Sequence, residues 1–130
     1  ENDITTALGA GAWVASAAEL CRLVAPIDGD RIVPDVISPQ AVKLMTQEMP
    51  DHQFSLGWNF TPRNRRWIRT GSLVGTSALV LRYPDGECWV FITNTSTWKG
   101  HKFSQDTMAL FEKLRKRFGS KMPKRNMFIN

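Results

Sequence analysis

This chain is short of the residue types from which metal sites and self-contained catalytic centres are usually assembled. It has two histidines, two cysteines and one tyrosine in 130 residues. His52 and His101 stand alone, with no partner at metal-ligand spacing, so surface or packing roles are expected and no metal or cofactor is. Cys21 and Cys88 are far apart in sequence, each among apolar neighbours. They read as two buried free thiols rather than a disulfide, and two cysteines leave the redox compartment open. No apolar run approaches the roughly 18 residues of a membrane span. No secretory leader is visible at the start, and there is no internal repeat. Acidic residues are in deficit, 12 against 17 lysines and arginines, for a net charge of +5. The excess sits in residues 63–69 and 113–125. Such a balance permits attraction to phosphate or anionic substrates. The second cluster reads more simply as a helix C-terminus running into a solvated tail.

What is present is ordinary globular material. A hydrophobic content of 42% and a mass of 14.7 kDa fit one domain, or a large piece of a bigger one. The first residue is Glu1 rather than Met, which predicts a processed or excised segment. Ser16-Ala17-Ala18-Glu19 is a capping-box signature opening a helix whose Leu20, Leu23 and Val24 share a face and which Pro26 ends. Trp13 and Val14 are expected to staple that helix to the core. Residues 27–37 read as a connecting loop. Ser38 and Pro39 open a second helix, with Val42, Met45 and Met49 inward and Pro50 closing it.

Residues 54–60 look extended, with Leu56, Trp58 and Phe60 alternating against Ser55, Gly57 and Asn59. A turn at 61–64 leads into a return strand over 65–70. Residues 76–83 and 87–93 have strand composition around Pro84-Asp85-Gly86, a preset φ, a self-bonding carboxylate and a positive-φ position, which specifies a tight hairpin. Ala78 to Leu81 and Trp89 to Ile92 are apolar on both faces and therefore need cover on both. One cover is a helix capped by Ser104, with Met108, Phe111, Leu114 and Phe118 on one side, Arg115, Lys116 and Arg117 in its last turn, and Gly119 as a left-handed cap. The two upstream helices are short for the other. The result is an α+β chain, an antiparallel β-sheet with helices packed on it. Residues 1–120 form a single segment and 121–130 a basic tail.

A series of pieces then falls into a familiar order. The helix in Gly11-Ala12-Trp13-Val14-Ala15-Ser16-Ala17-Ala18-Glu19-Leu20 is followed by Leu56-Gly57-Trp58, Thr70-Gly71-Ser72-Leu73-Val74-Gly75-Thr76, Pro84-Asp85-Gly86 and Ile92-Thr93-Asn94. Together they resemble the C-terminal part of the serine β-lactamase and penicillin-binding-protein-like hydrolases, in particular class C β-lactamases and related esterases. The resemblance covers residues 11–118 and implies a C-terminal portion of the β-lactamase/transpeptidase-like fold. It further implies acyl-enzyme chemistry on lactams, D-amino-acid peptides or esters. Arg69-Thr70-Gly71 matches the Lys-Thr-Gly signature. By resemblance, Arg69 and Thr70 bind an anionic substrate group, Gly71 lets the substrate lie against the backbone, and Ser72 lends its backbone N–H to the oxyanion hole. A periplasmic, secreted or cell-envelope location is likewise implied.

The departures from the family are informative. Arg69 is a permanently charged fork where Lys or His is commoner, so it cannot shuttle a proton; Val74 replaces a frequent proline. The upstream Ser-x-x-Lys and Tyr-x-Asn motifs are absent. Ser96-Thr97-Trp98-Lys99 has the first pattern but follows the third motif, and reads as coincidence. The chain alone is therefore expected to be inert, its partners being the missing N-terminal part of a parent hydrolase and a small acyl substrate. Self-association is expected of a sheet deprived of its usual neighbours. Asp51 beside His52 reads as a loop pair, Asn94-Thr95-Ser96 as a strand-end turn rather than a glycosylation site, and Trp58, Trp67 and Trp89 as core. The alternative is a basic, non-catalytic binding module for nucleic acid or an acidic partner, with nucleic acid the disfavoured of the two.

Overall fold

The computed structural model describes residues 6, 9, 11–47, 55–61, 65–95 and 97–123. Asp51, His52, Phe54, most of the 61–64 turn, Met49, Pro50, Ser96 and the tail beyond 123 lie outside them, so the expectations resting on those residues do too. The element order is α1 (Ala17–Val24), α2 (Pro39–Thr46), β1 (Asn59–Thr61), β2 (Arg66–Leu73), β3 (Thr76–Arg82), β4 (Cys88–Thr93) and α3 (His101–Phe118). The strands form one antiparallel meander in the order β1-β2-β3-β4. No described helix is long and apolar enough to cross a membrane.

Both faces of the sheet are covered, as the apolar runs in β3 and β4 require. On one face Ile68, Leu79, Leu81 and Tyr83 pack with Phe111 of α3, joined by Trp89, Phe91 and Met108. Trp89 meets Phe111 at 5.1 Å between ring centroids and Phe91 meets Phe103 at 5.7 Å. On the other face Trp58, Trp67 and Val80 pack with Val24 of α1, and Leu20, Val42, Met45, Cys88 and Val90 fill in around them. The second cover is thus built from α1, α2 and the buried Trp58. An ion pair closes this side. Arg82 Nε donates to Asp28 at 3.1 Å, its guanidinium lies 5.4 Å from the Trp67 ring, and both charged residues are only 8% exposed. The loop after α1 is therefore anchored to the sheet by charge.

The two N-terminal caps form as their residues dictate. Ser16 Oγ accepts from Glu19 N–H while the Glu19 carboxylate accepts from Ser16 N–H, and Ser38 Oγ accepts from Ala41 N–H. The backbone N–H of Ser16, and then its hydroxyl, hold the Glu19 carboxyl below the usual range. The hairpin turn also forms, with Tyr83 N–H bonded to Glu87 O at 2.8 Å and Gly86 at φ 92°.

Four expectations are corrected. Trp13 and Val14 are 87% and 98% exposed. They staple nothing, because α1 docks through Leu20 and Val24 further along. The extended stretch is only Asn59–Thr61. Ser55 and Trp58 exchange backbone hydrogen bonds around Gly57 at φ 83°, which is a tight turn rather than a strand. Ser104 does not cap α3, which starts a turn earlier at His101. There Lys102 and Phe103 satisfy their N–H groups on Lys99 O and Gly100 O. Gly119 is not left-handed but right-handed helical, at φ −55°. The helix end tightens into a 3-10 turn over Gly119–Lys121 that takes up its last carbonyls.

Candidate functional site at the rim of strand β2

Strand β2 has two kinds of surroundings. From Arg66 to Ile68 it is paired on both sides, with β1 and β3; from Arg69 onward only β3 accompanies it. β1 begins at Asn59, opposite Ile68, because the turn at 55–58 brings the chain onto the sheet only there. Among the described residues, the rim of β2 along 69–72 is open.

The register determines which backbone groups line this rim. Leu73 lies opposite Thr76 across a two-residue connection, Val74-Gly75, with Gly75 at φ 84°. A two-residue hairpin closes on a hydrogen-bonded pair, and paired residues then alternate between bonded and non-bonded. Gly71 therefore bonds to Ala78 inside the sheet, whereas Thr70 and Ser72 turn their N–H and C=O groups outward. Ile68, two residues back, turns the same way and meets Asn59 of β1, as the alternation requires.

Side chains follow the same alternation. Arg69 and Gly71 share the face of Trp67, and Thr70 and Ser72 that of Ile68. Arg69, Gly71 and Ser72 are exposed and Thr70 is half-buried. A Cβ added at Gly71 would meet only the Ala78 Cβ, at 3.7 Å, an ordinary contact. The fold itself does not demand a glycine there. All four residues singled out in the sequence are thus together on one accessible edge. That edge offers a guanidinium, a hydroxyl and outward N–H groups, the equipment to bind and polarise an acyl group rather than to attack it.

Lys99, the amine of the displaced Ser-x-x-Lys pattern, donates to Asp106 at 2.7 Å on the exposed turn before α3. That contact holds the Asp106 carboxyl below the usual range.

Two shallow depressions, of about 430 and 360 Å³, lie beside α3 and neither includes the rim. Apart from Lys116, their charges are mutually paired. Arg66 contacts Glu112, and Arg115 contacts Asp85 and, at 2.7 Å through Nε, Glu87. Beneath them Tyr83 is 2% exposed, with the Arg115 guanidinium 4.3 Å from its ring and its hydroxyl near the Glu112 carboxylate. Burial, followed by the neighbouring Glu112 carboxylate, pushes its pKa up to about 12.

Three features escaped sequence reasoning. The Arg82–Asp28 pair had only the Asp28-Gly29-Asp30 loop as a signal, and the Tyr83 cluster had none. Cys21 and Cys88 are free and half-buried, and they lie beside each other where α1 packs on β4. Linear separation hid that meeting. A scan of protein-family models and comparisons with curated proteins and with solved structures found no match to this chain.

Proposed function

We propose that this chain is the C-terminal segment of a β-lactamase-like serine hydrolase, acting on lactams, D-amino-acid peptides or esters, and that it carries the substrate-facing strand while the nucleophile resides on polypeptide outside it. The observation that carries this reading is the open rim of β2 at Arg69-Thr70-Gly71-Ser72. Its coarser support is the α+β arrangement, an antiparallel sheet with helices packed on it. An acyl substrate lying along this rim adds a short strand to the sheet edge, the way extended peptides add to open edges. Its carboxylate meets Arg69 and the Thr70 hydroxyl. Its carbonyl oxygen takes the Ser72 N–H, a donor worth roughly 3 kcal/mol once the oxygen becomes an oxyanion. An envelope or secreted location belongs to the same reading.

The isolated chain is expected neither to hydrolyse nitrocefin or p-nitrophenyl esters nor to take a fluorophosphonate label. A protein that joins it to the missing N-terminal motifs should do both. In that active protein Ser72→Pro removes the N–H at a rim position where no ladder bond is lost. The expected result is a fall in kcat of about 100-fold or more. An unchanged rate, or labelling of the isolated chain, refutes the reading.

A second reading has one observation behind it. Lys113, Lys116, Arg117 and Lys121 are all exposed along the end of α3. A binding module for an acidic partner or nucleic acid would use that stripe, and its affinity would fall steeply with added salt. No binding at low ionic strength disposes of it.

A further inference from the structure

We infer that Cys21 and Cys88 form a two-thiol site that accepts a disulfide and thereby ties α1 covalently to β4. The packing places them together. α1 lies on the sheet through Leu20 and Val24, and Cys88 and Val90 of β4 join the same apolar cluster. Cys21 follows Leu20 on the helix, Cys88 opens β4 opposite Arg82, and α1 packs along β4, which sets the two side chains beside each other. Both are half-buried, open enough for a small thiol reagent.

The surroundings divide the roles. The neighbouring Cys88 thiol makes the Cys21 thiol more acidic than an ordinary one. Cys88 is held in its protonated form, first by its Cys21 neighbour and then by burial, with the Asp28 carboxylate adding to this and the Arg82 guanidinium opposing it. Cys21 is the attacking thiolate and Cys88 the resolving thiol, because attack requires the ionised form.

With oxidised glutathione as the oxidant, the Cys21 thiolate attacks one glutathione sulfur and expels the other half as a thiolate. Cys88 then loses its proton and attacks the Cys21 sulfur, expelling the second glutathione. Two protein thiols become one disulfide, and one glutathione disulfide becomes two thiols. The site does not depend on the hydrolase reading.

The test incubates the full chain in glutathione redox buffers, native and in urea, blocks the remaining thiols and maps the peptides by mass spectrometry. The expected product is a Cys21–Cys88 linked peptide, formed natively with at least tenfold less oxidised glutathione than the unfolded chain requires. Cys88→Ser should stop at a glutathione adduct on Cys21, and Cys21→Ser should leave Cys88 slow to react. Native chains that yield only glutathione adducts or intermolecular dimers, or that link no more readily than in urea, overturn the proposal. The comparison of native with unfolded wild-type chain stands even where a serine variant fails to fold.

Discussion

At the scale of single residues, Gly71 separates folding from function. Its backbone is not in the left-handed region and its Cβ position is open apart from Ala78. Gly71→Ala should leave stability unchanged or raise it by up to about 1 kcal/mol, since a strand glycine costs entropy. The same methyl should cut turnover by the assembled hydrolase, because it occupies the edge along which a substrate would lie; urea unfolding and nitrocefin hydrolysis check the two halves. Arg82 is the opposite case. Removing its charge leaves Asp28 buried and unpaired, so Arg82→Ala should cost about 3–5 kcal/mol by urea unfolding. An Arg82→Met, Asp28→Leu pair should recover most of that loss. Tyr83 is protonated below its ordinary pKa of about 10 in both folded and unfolded chains. Its folded value is pushed up to about 12. The folded state therefore favours the protonated hydroxyl, and this contribution to stability is complete below pH 10 and lost as pH rises toward 12. Tyr83→Phe should flatten the alkaline limb of stability against pH.

At the scale of elements, local chemistry was readable wherever neighbours in sequence were also partners in space. The Ser16–Glu19 box, the Ser38 cap and the Pro84-Asp85-Gly86 turn are satisfied within a few residues, and all three form. Ser16→Ala should cost about 1 kcal/mol, read from thermal unfolding. Ends governed by tertiary placement were misread. Ser104 lost the start of α3 to the turn at residues 99–103, and residues 55–58 folded back on themselves although their alternation resembled a strand. Alternation is a necessary sign of a half-buried strand and not a sufficient one, because a positive-φ glycine such as Gly57 reverses the chain without disturbing the pattern.

For the whole molecule, one apolar sheet divides two packing layers. Phe111 anchors the α3 layer, and Phe111→Ala should lose about 3–5 kcal/mol. The other layer is the weaker one, built on two eight-residue helices. A Cys21–Cys88 disulfide acts where that layer most needs support. Closing a loop of about 70 residues is worth roughly 4 kcal/mol in the chain-entropy account. The open β2 rim is also a template for another strand. The isolated chain is expected to self-associate, and a strictly monomeric sedimentation profile at high concentration would count against that.

The candidate site was legible as residues but not as a surface. Arg69, Thr70, Gly71 and Ser72 could be singled out from their types and order alone. Their accessibility was decided by where β1 stops, and the outward direction of the Ser72 N–H by the two-residue turn at Val74-Gly75. The sequence by itself determined what interactions over three or four residues can determine: the caps, the β3–β4 hairpin, and the apolar runs that force a doubly covered sheet. Only tertiary structure decided that Arg82 meets Asp28, that Cys21 lies beside Cys88 and that, among the described residues, the rim of β2 is left open. Each of those depends on chain closure over tens of residues, which no local pattern encodes.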